Sequence, residues 1–247
     1  MSSDTEIRPF RVGVPDEAIA DLRRRIAAVR WPGQELVADR SMGRQAPEGL
    51  AGIHLNFLRD ALAGHPPAGS SAEERAALEA ITAFKTGGFG YFLEQATRPQ
   101  TIGYALLDSP VALAAWMLDH DTDSYHKISR AFVDGQPSGG LTRDHVLDNI
   151  TVYWLTGTGA SAARSYWEGG RAQVIAAGQA RPQVKLPVGF TVFPDEIFRA
   201  PRSWVQQTYP TLTYFHEADR GGHFAAWEEP GLFATEIRAA RSHICGP

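Results

Sequence analysis

The sequence predicts an α/β fold with a partial parallel sheet of about three strands. Two late apolar runs, 186–193 and 212–216, have the length and composition of buried strands. Between them, residues 201–209 fit a short crossover helix around Trp204. A strand, a helix and a second strand at this spacing favour a parallel pair. An earlier apolar run, 51–57, is typical of a third buried strand.

Helices are predicted before, between and after these strands. Pro15 and the two acids after it open the first helix, because proline suits a first turn and acids suit the positive helix end. Its apolar face is formed by Ile19, Leu22, Ile26 and Val29. The arginines on the same segment are typical of a solvated face, with binding of an acidic partner as the alternative.

The middle of the chain alternates predicted helices with helix breakers. Ser71 and Glu74 fit a capping box, and Thr142 is placed to cap a later helix. Further helices are predicted after Pro110 and after Pro230. The segments 33–49, 61–69 and 119–140 are predicted to be, in turn, a linker, a loop and a polar surface excursion.

Composition argues against several classes of function. The net charge is −4 with 21% charged residues, which gives no basic surface for nucleic acid. Cys245 is the one cysteine, so no disulfide can form within the chain. The N-terminus lacks a signal peptide and no apolar run reaches the ~20 residues that span a membrane, so a cytoplasmic protein is expected. The spacing of His216 and His223 matches no zinc motif, and neither a metal nor another cofactor is expected.

A carboxylate and a histidine follow the two late strands. Glu196 comes directly after the first strand, and His223 follows the second. Carboxyl ends of parallel strands share one sheet edge, where the acid can orient the imidazole so that it acts as a base. Spacing alone leaves open a surface glutamate and a turn histidine that never meet. No serine or aspartate before Glu196 stands on a glycine-flanked nucleophile elbow.

A glycine motif offers a different class of function. Residues 157–162 match G-x-G-x-x-A, and 150–155 before them are readable as a strand, which is the form of a dinucleotide fingerprint. That fingerprint also needs an acid about 20 residues further on, and residues 174–183 offer none.

Several motifs together resemble those of microsomal-type epoxide hydrolases. The run DRGGHFAAWEEP at 219–230 looks like their histidine motif, and FPDE at 193–196 looks like their acid-bearing strand end. The segments GIHLNF (52–57), TRPQT (97–101), DSP (108–110) and YWLTGT (153–158) are similar and fall in the family's order. Residues 9–32 resemble the N-terminal region of these proteins.

The resemblance implies a fold and a division of the chain. The fold would be a truncated α/β-hydrolase with an N-terminal arm and a helical lid. Residues 1–45 would form an N-terminal-like region. Residues 46–247 would be the C-terminal part of the hydrolase domain, with the lid at about 60–185.

The resemblance also implies hydrolysis of epoxides to vicinal diols without a cofactor, of the kind met in xenobiotic metabolism. In the family an aspartate opens the epoxide to an ester, and water activated by a His–acid pair cleaves it. His223 would be that base and Glu196 its acid, with Asp195 as the runner-up acid. Tyr91 and Tyr166 match the lid tyrosines that hold the epoxide oxygen, with a packed core aromatic as the alternative for each.

The chain departs from the family between residues 31 and 51. The family's His-Gly-Trp-Pro-Gly oxyanion segment and Gly-Gly-Asp-Trp-Gly elbow belong there and are absent, so the chain is interpreted as internally shortened. The loss removes the covalent step and exposes the strand at 53–57 as a sheet edge, which predicts homo-oligomer formation. Without the covalent step, two functions stay open for the chain. It could catalyse direct attack by water on a small apolar epoxide, or it could be a non-catalytic remnant that binds a ligand or a partner.

Overall fold

The computed structural model describes residues 15–28, 49–63, 71–118, 126, 128, 130–132, 139–175 and 184–245. Contacts divide the chain into two units, Met1–Trp31 and Pro32–Pro247. The predicted domain boundary near residue 45 and the linker expected before Gly49 lie outside the described residues.

The described part of the first unit contains the helix α1, Asp16–Ala27. It begins directly after Pro15 and carries Asp16 and Glu17 in its first turn, as its sequence predicts. Arg23 and Arg24 are exposed. The Arg24 guanidinium lies 2.8 Å from the Asp21 carboxylate on the same surface, which is the solvated face predicted for these arginines.

The second unit contains a three-stranded sheet in which all neighbours are parallel. The strands are β1 (Ile53–Leu55), β2 (Val188–Val192) and β3 (Leu212–Glu217), in the spatial order β1-β2-β3. The crossover helix that joins β2 to β3 spans Arg202–Thr208. The predicted parallel pair and the predicted number of strands are confirmed.

Most of the described helices lie between β1 and β2 in the chain, and they are called the inserted helices below. They are α2 (Arg59–Ala63), α3 (Ala72–Ala83), α4 (Gly90–Thr97), α5 (Pro99–Asp108), α6 (Pro110–Leu118), α7 (Arg143–Thr156) and α8 (Gly159–Ile175). The crossover helix is α9, and after β3 come α10 (Ala225–Glu228) and α11 (Pro230–Cys245).

Local sequence explains where several inserted helices begin and end. Ser71 and Glu74 form the predicted capping box of α3, each side chain accepting the other residue's N–H at 3.1 Å. Thr142 accepts the N–H of His145 at the start of α7. Gly157 ends α7 with a φ of +64°, a left-handed conformation that glycine adopts at low cost.

Two expectations about the inserted region are wrong, and two of its helices were not predicted. The segment 61–69 was expected to be a loop, but its first three residues belong to α2. The excursion expected at 119–140 includes helical residues, and Ile128 and Ala131 are buried because their three-residue spacing puts both on one helix face. The helices α4 and α5 were not predicted, since short helices between a glycine run and a proline give weak periodicity.

The sheet shares one apolar core with α2 and α3, and the later inserted helices have a second. Phe190 and Val192 of β2 pack with Trp204 and Val205 of α9 and with apolar residues of α2 and α3. The second core joins α5, α6, α7 and α8 and includes Phe224 and Trp227 from the chain after β3. The segment that carries His223 therefore packs against the core of the inserted helices.

The helix α11 covers the other face of the sheet through a buried carboxylate. Glu236 Oε2 accepts hydrogen bonds from Thr191 Oγ1 at 3.0 Å, Tyr214 Oη at 2.9 Å and His216 Nδ1 at 3.0 Å. His54 Nε2 lies 2.9 Å from the same Thr191 hydroxyl, whose proton points to Glu236, so His54 acts as the donor. The carboxylate thus links α11 directly to β2 and β3, and to β1 through the Thr191 hydroxyl.

Within the described residues, no helix is long and apolar enough to cross a membrane. The cytoplasmic location stays a prediction.

Candidate active site

Main-chain contacts hold the loops after β2 and β3 together. The N–H of Asp195 donates to the carbonyl of Gly221 at 3.0 Å, and Asp195 forms a parallel bridge with Gly222. Gly221 has a φ of +96°, and a Cβ there would lie 2.9 Å from the Phe193 ring, so both the turn and the close approach require glycine. The residues that follow these contacts, Glu196 and His223, are brought to one edge of the sheet.

Glu196 and His223 form a short hydrogen bond between their side chains. His223 Nδ1 lies 2.6 Å from Glu196 Oε1, and the same oxygen accepts the N–H of Ile197 at 2.8 Å. The Glu196 side chain is 2% exposed and that of His223 is 26% exposed. An ionised carboxylate only accepts hydrogen bonds, so Glu196 places the imidazole proton on Nδ1. Within the described residues, Glu196 Oε2 is buried without a hydrogen-bond partner.

Two aromatic side chains fix the plane of the His223 ring. Phe57, at the end of the β1 segment, meets the imidazole edge-to-face with ring centroids 5.2 Å apart. Phe224 meets it in the same way at 4.9 Å. The imidazole therefore contacts two apolar rings as well as Glu196, and neither ring was identified from the sequence as part of the site.

The two predicted tyrosines come together on α4 and α8. The rings of Tyr91 and Tyr166 are edge-to-face with centroids 6.1 Å apart, and Tyr166 also meets Phe92 at 5.6 Å. Burial raises the pKa of Tyr91 to about 12, with smaller contributions from Tyr166 and from the Glu196 carboxylate. Burial is also the main cause that raises the pKa of Tyr166. Both phenols therefore keep their protons at neutral pH and are hydrogen-bond donors.

A cavity of about 330 Å³ lies between the inserted helices and the segment after His223. Tyr91 and Tyr166 line it, together with Phe224 and Trp227, and most of the remaining lining is apolar. Phe224 also packs on the imidazole, so the cavity adjoins the Glu196–His223 pair. Its volume suits a small organic ligand.

Other candidate residues and motifs have different places in the structure. Asp195, the second candidate for the acid, contributes its main-chain N–H to the loop contact, and it is Glu196 that hydrogen-bonds His223. The dinucleotide alternative is wrong, because 150–155 belongs to α7 and not to a strand. Among the described residues, no group of three or more His, Cys, Asp or Glu side chains could hold a metal ion.

Comparison with known sequences finds similarity to proteins named epoxide hydrolases. No family model matches it. It is 45% identical over 228 residues to a putative epoxide hydrolase of Stigmatella aurantiaca, covering 90% of this chain and 49% of the relative. It is 35% identical over 212 residues to epoxide hydrolase 1 of Oryctolagus cuniculus, covering 80% of this chain and 47% of that protein. The chain thus spans about half the length of these relatives.

Solved structures agree with the sequence comparison. The epoxide hydrolase of Aspergillus niger superposes with a TM-score of 0.58 at 28% identity, over 77% of this chain and 46% of the other. Juvenile hormone epoxide hydrolase of the silkworm Bombyx mori gives a TM-score of 0.56 at 27% identity, over 68% and 39%. By sequence and by fold, the chain is therefore a homologue of the epoxide hydrolases of the α/β-hydrolase fold and corresponds to about half of such a protein.

Proposed function

We propose that this chain hydrolyses small apolar epoxides to vicinal diols, with water activated by His223. The observation that carries the proposal is the 2.6 Å contact between His223 Nδ1 and Glu196 Oε1, in a chain homologous to epoxide hydrolases. The proposal gives His223 the role of general base and Glu196 that of the acid that orients it.

The pair has the chemistry that a general base needs. Because Glu196 holds the proton on Nδ1, Nε2 is the nitrogen that takes a proton from water. The buried carboxylate then stabilises the imidazolium that forms. A positioned base of this kind contributes on the order of 10²- to 10⁴-fold to a rate.

The tyrosines supply the complementary proton donors. As the epoxide C–O bond breaks, negative charge develops on the ring oxygen, and neutral phenols stabilise it by donating hydrogen bonds. Tyr91 and Tyr166 are protonated, and the Glu196 carboxylate contributes to the raised pKa of Tyr91. In the proposal one phenol passes its proton to the oxygen and recovers a proton from the imidazolium through solvent.

The cavity supports the class of substrate. Its volume of about 330 Å³ and its apolar lining suit a compact aryl or alkyl epoxide such as styrene oxide. We place the substrates among the small apolar epoxides of xenobiotic metabolism.

Water is the nucleophile in this proposal. Within the 247 residues, no aspartate before Glu196 stands on a glycine-flanked elbow that could form an ester with the substrate. A new bond forms between the water oxygen and an epoxide carbon as the ring C–O bond breaks, and His223 takes the water proton. We expect slow turnover, because an oxyanion hole contributes about 10²- to 10³-fold in enzymes that have one.

Styrene oxide turnover in water labelled with oxygen-18 tests the proposal. The purified chain should form the diol with one labelled oxygen, at least about 10² times faster than His223→Ala. The rate of Glu196→Gln should lie between those of the unmodified chain and His223→Ala. The double variant Tyr91→Phe, Tyr166→Phe should also be slower than the unmodified chain. His216→Ala is the matched control and should keep the rate of the unmodified chain. His216 also contacts a buried glutamate, but that glutamate is Glu236 on α11 and not Glu196. Equal rates in the chain and in His223→Ala, or no diol above buffer, would refute the proposal.

We also infer that the chain forms homo-oligomers through β1. This strand is an edge of the described sheet, and an edge presents main-chain groups that a strand of a second copy can bind. Light scattering during size-exclusion chromatography should give a dimer or a larger species. A single monomeric peak at all micromolar concentrations would contradict this inference.

A further inference from the structure

A second buried carboxylate lies next to the candidate base. Glu228, at the end of α10, is 1% exposed, and neither step of the proposed mechanism uses it. Burying a carboxylate is costly unless hydrogen bonds compensate for the lost water, so its contacts indicate what it stabilises.

Glu228 binds the residue that follows His223 through two of its own groups. Its Oε1 accepts the main-chain N–H of Phe224 at 3.0 Å. Its own N–H donates to the carbonyl of Phe224 at 2.8 Å. Phe224 has φ −105° and ψ 44°, outside the helical region, so these two hydrogen bonds set the direction in which the chain leaves His223.

The same residue also holds the segment that begins α7. The N–H of Gly140 donates to the Glu228 carbonyl at 2.6 Å. A Cβ on Gly140 would lie 3.0 Å from this carbonyl oxygen, and one on Gly139 would lie 2.7 Å from it. Glu228 therefore hydrogen-bonds both the loop that carries His223 and the segment that leads into α7, a helix that lines the cavity.

We propose that Glu228 is a positioning residue for His223. The Glu228 carboxylate binds the N–H of Phe224 and so fixes the main-chain conformation next to His223, from which the imidazole reaches Glu196. The same hydrogen bond fixes the position of the Phe224 ring, which contacts the imidazole and lines the cavity. The catalytic meaning of this role rests on the proposed function. The geometry of the His223–Glu196 contact, however, is measurable without turnover.

Proton NMR of the imidazole N–H provides that measurement. A short hydrogen bond from Nδ1 to a carboxylate gives a strongly deshielded proton that exchanges slowly with water. In the unmodified chain we expect one such resonance that disappears in His223→Ala and in Glu196→Gln. Glu228→Ala should lose it, or speed its exchange by about tenfold or more, as expected when one hydrogen bond that orders the loop is removed.

Two further variants separate positioning from general stability. Glu228→Gln keeps an oxygen that accepts the Phe224 N–H, so it should restore the resonance. Glu236→Gln is the matched control, because it changes an equally buried glutamate on the other face of the sheet and should leave the resonance unchanged. Amide spectra and circular dichroism of each variant establish that it is folded. If Glu228→Ala does not fold, Glu228→Asp, whose side chain is one methylene too short to reach the Phe224 N–H in the same way, takes its place. Folded Glu228→Asp should lose the resonance or speed its exchange, and unchanged exchange would overturn the positioning role.

The outcomes distinguish this inference from the proposed function. If folded Glu228→Ala keeps the resonance with unchanged exchange, or if Glu236→Gln loses it equally, the positioning role is wrong. If the unmodified chain has no resonance that depends on His223 and Glu196, the pair itself does not form. In that case the proposed function fails together with this inference.

Discussion

The carboxylate of Glu236 should make a large contribution to stability, and Glu236→Ala tests it. Oε2 of this residue, which is 4% exposed, accepts hydrogen bonds from Thr191, Tyr214 and His216 and thereby joins α11 to the sheet. The variant removes the acceptor from three donors at once, but the donors differ in their access to water.

The magnitude follows from that difference. Thr191 is fully buried, so its hydroxyl would lose its acceptor without gaining water, which costs about 1–3 kcal/mol. Tyr214 is half-buried and His216 is exposed, so water replaces most of what they lose and we add about 1 kcal/mol for both. We expect Glu236→Ala to lower the free energy of unfolding by about 2–4 kcal/mol, a large part of the 5–15 kcal/mol typical of a domain.

Urea denaturation followed by circular dichroism measures this loss. Thr191→Val removes the buried hydroxyl without leaving a void. In a chain that already carries Thr191→Val, Glu236→Ala should therefore lower the free energy of unfolding by less than it does alone. The two changes should fall short of additivity by about 1 kcal/mol in the double variant, because they act on one hydrogen bond. A loss below about 0.5 kcal/mol in Glu236→Ala, or strict additivity, would show that the carboxylate does not hold the strands as described.

Two further predictions concern backbone conformation and pH. Gly221→Ala should lower the free energy of unfolding by about 1–3 kcal/mol, because φ is +96° and the new methyl meets the Phe193 ring. Gly231→Ala, which places a Cβ in open space on α11, is its control, and thermal melting that affects both equally would contradict the argument. Burial lowers the pKa of His54 below its usual 6.5, despite nearby Glu236, so the unfolded chain binds a proton more readily and stability should fall as the pH drops below 6.5. Urea titrations at pH 8 and pH 5 should show a smaller fall for His54→Gln than for the unmodified chain, and equal falls would rule out His54 as the cause.

The sheet was predictable from sequence because its strands are short apolar runs with a clear helix between two of them. The run at 186–193 contains β2, the run at 212–216 covers β3 except its last residue, and the parallel direction follows from the crossover helix. The pairing of β1 with β2 has no local signal, since the inserted helices separate these strands in the chain. The sequence therefore predicted a third strand at 53–57 but not which strand it pairs with.

For the site, sequence predicted the ionisable residues better than their surroundings. The placement of Glu196 and His223 after parallel strands suggested one shared sheet edge, and the family resemblance was needed to predict that the two side chains act as a pair. Phe57, Phe224 and Glu228 were not identified, because an apolar residue or a glutamate in a motif does not show which neighbour it contacts. Glu228 carries one sequence signal, a carboxylate four residues after Phe224 at a helix start, where side chains often accept main-chain N–H groups.

The insertion of α2 to α8 between β1 and β2 has a consequence for the order of folding. The partners Ile53 and Val188 are about 135 residues apart in the chain, whereas Val188 and Leu212 are about 24 apart. Closing the longer loop costs roughly 1.5 kcal/mol more in chain entropy. We therefore expect the β2–β3 pair to form before β1 docks, which leaves one edge of β2 unpaired and open to pairing with another chain during that interval.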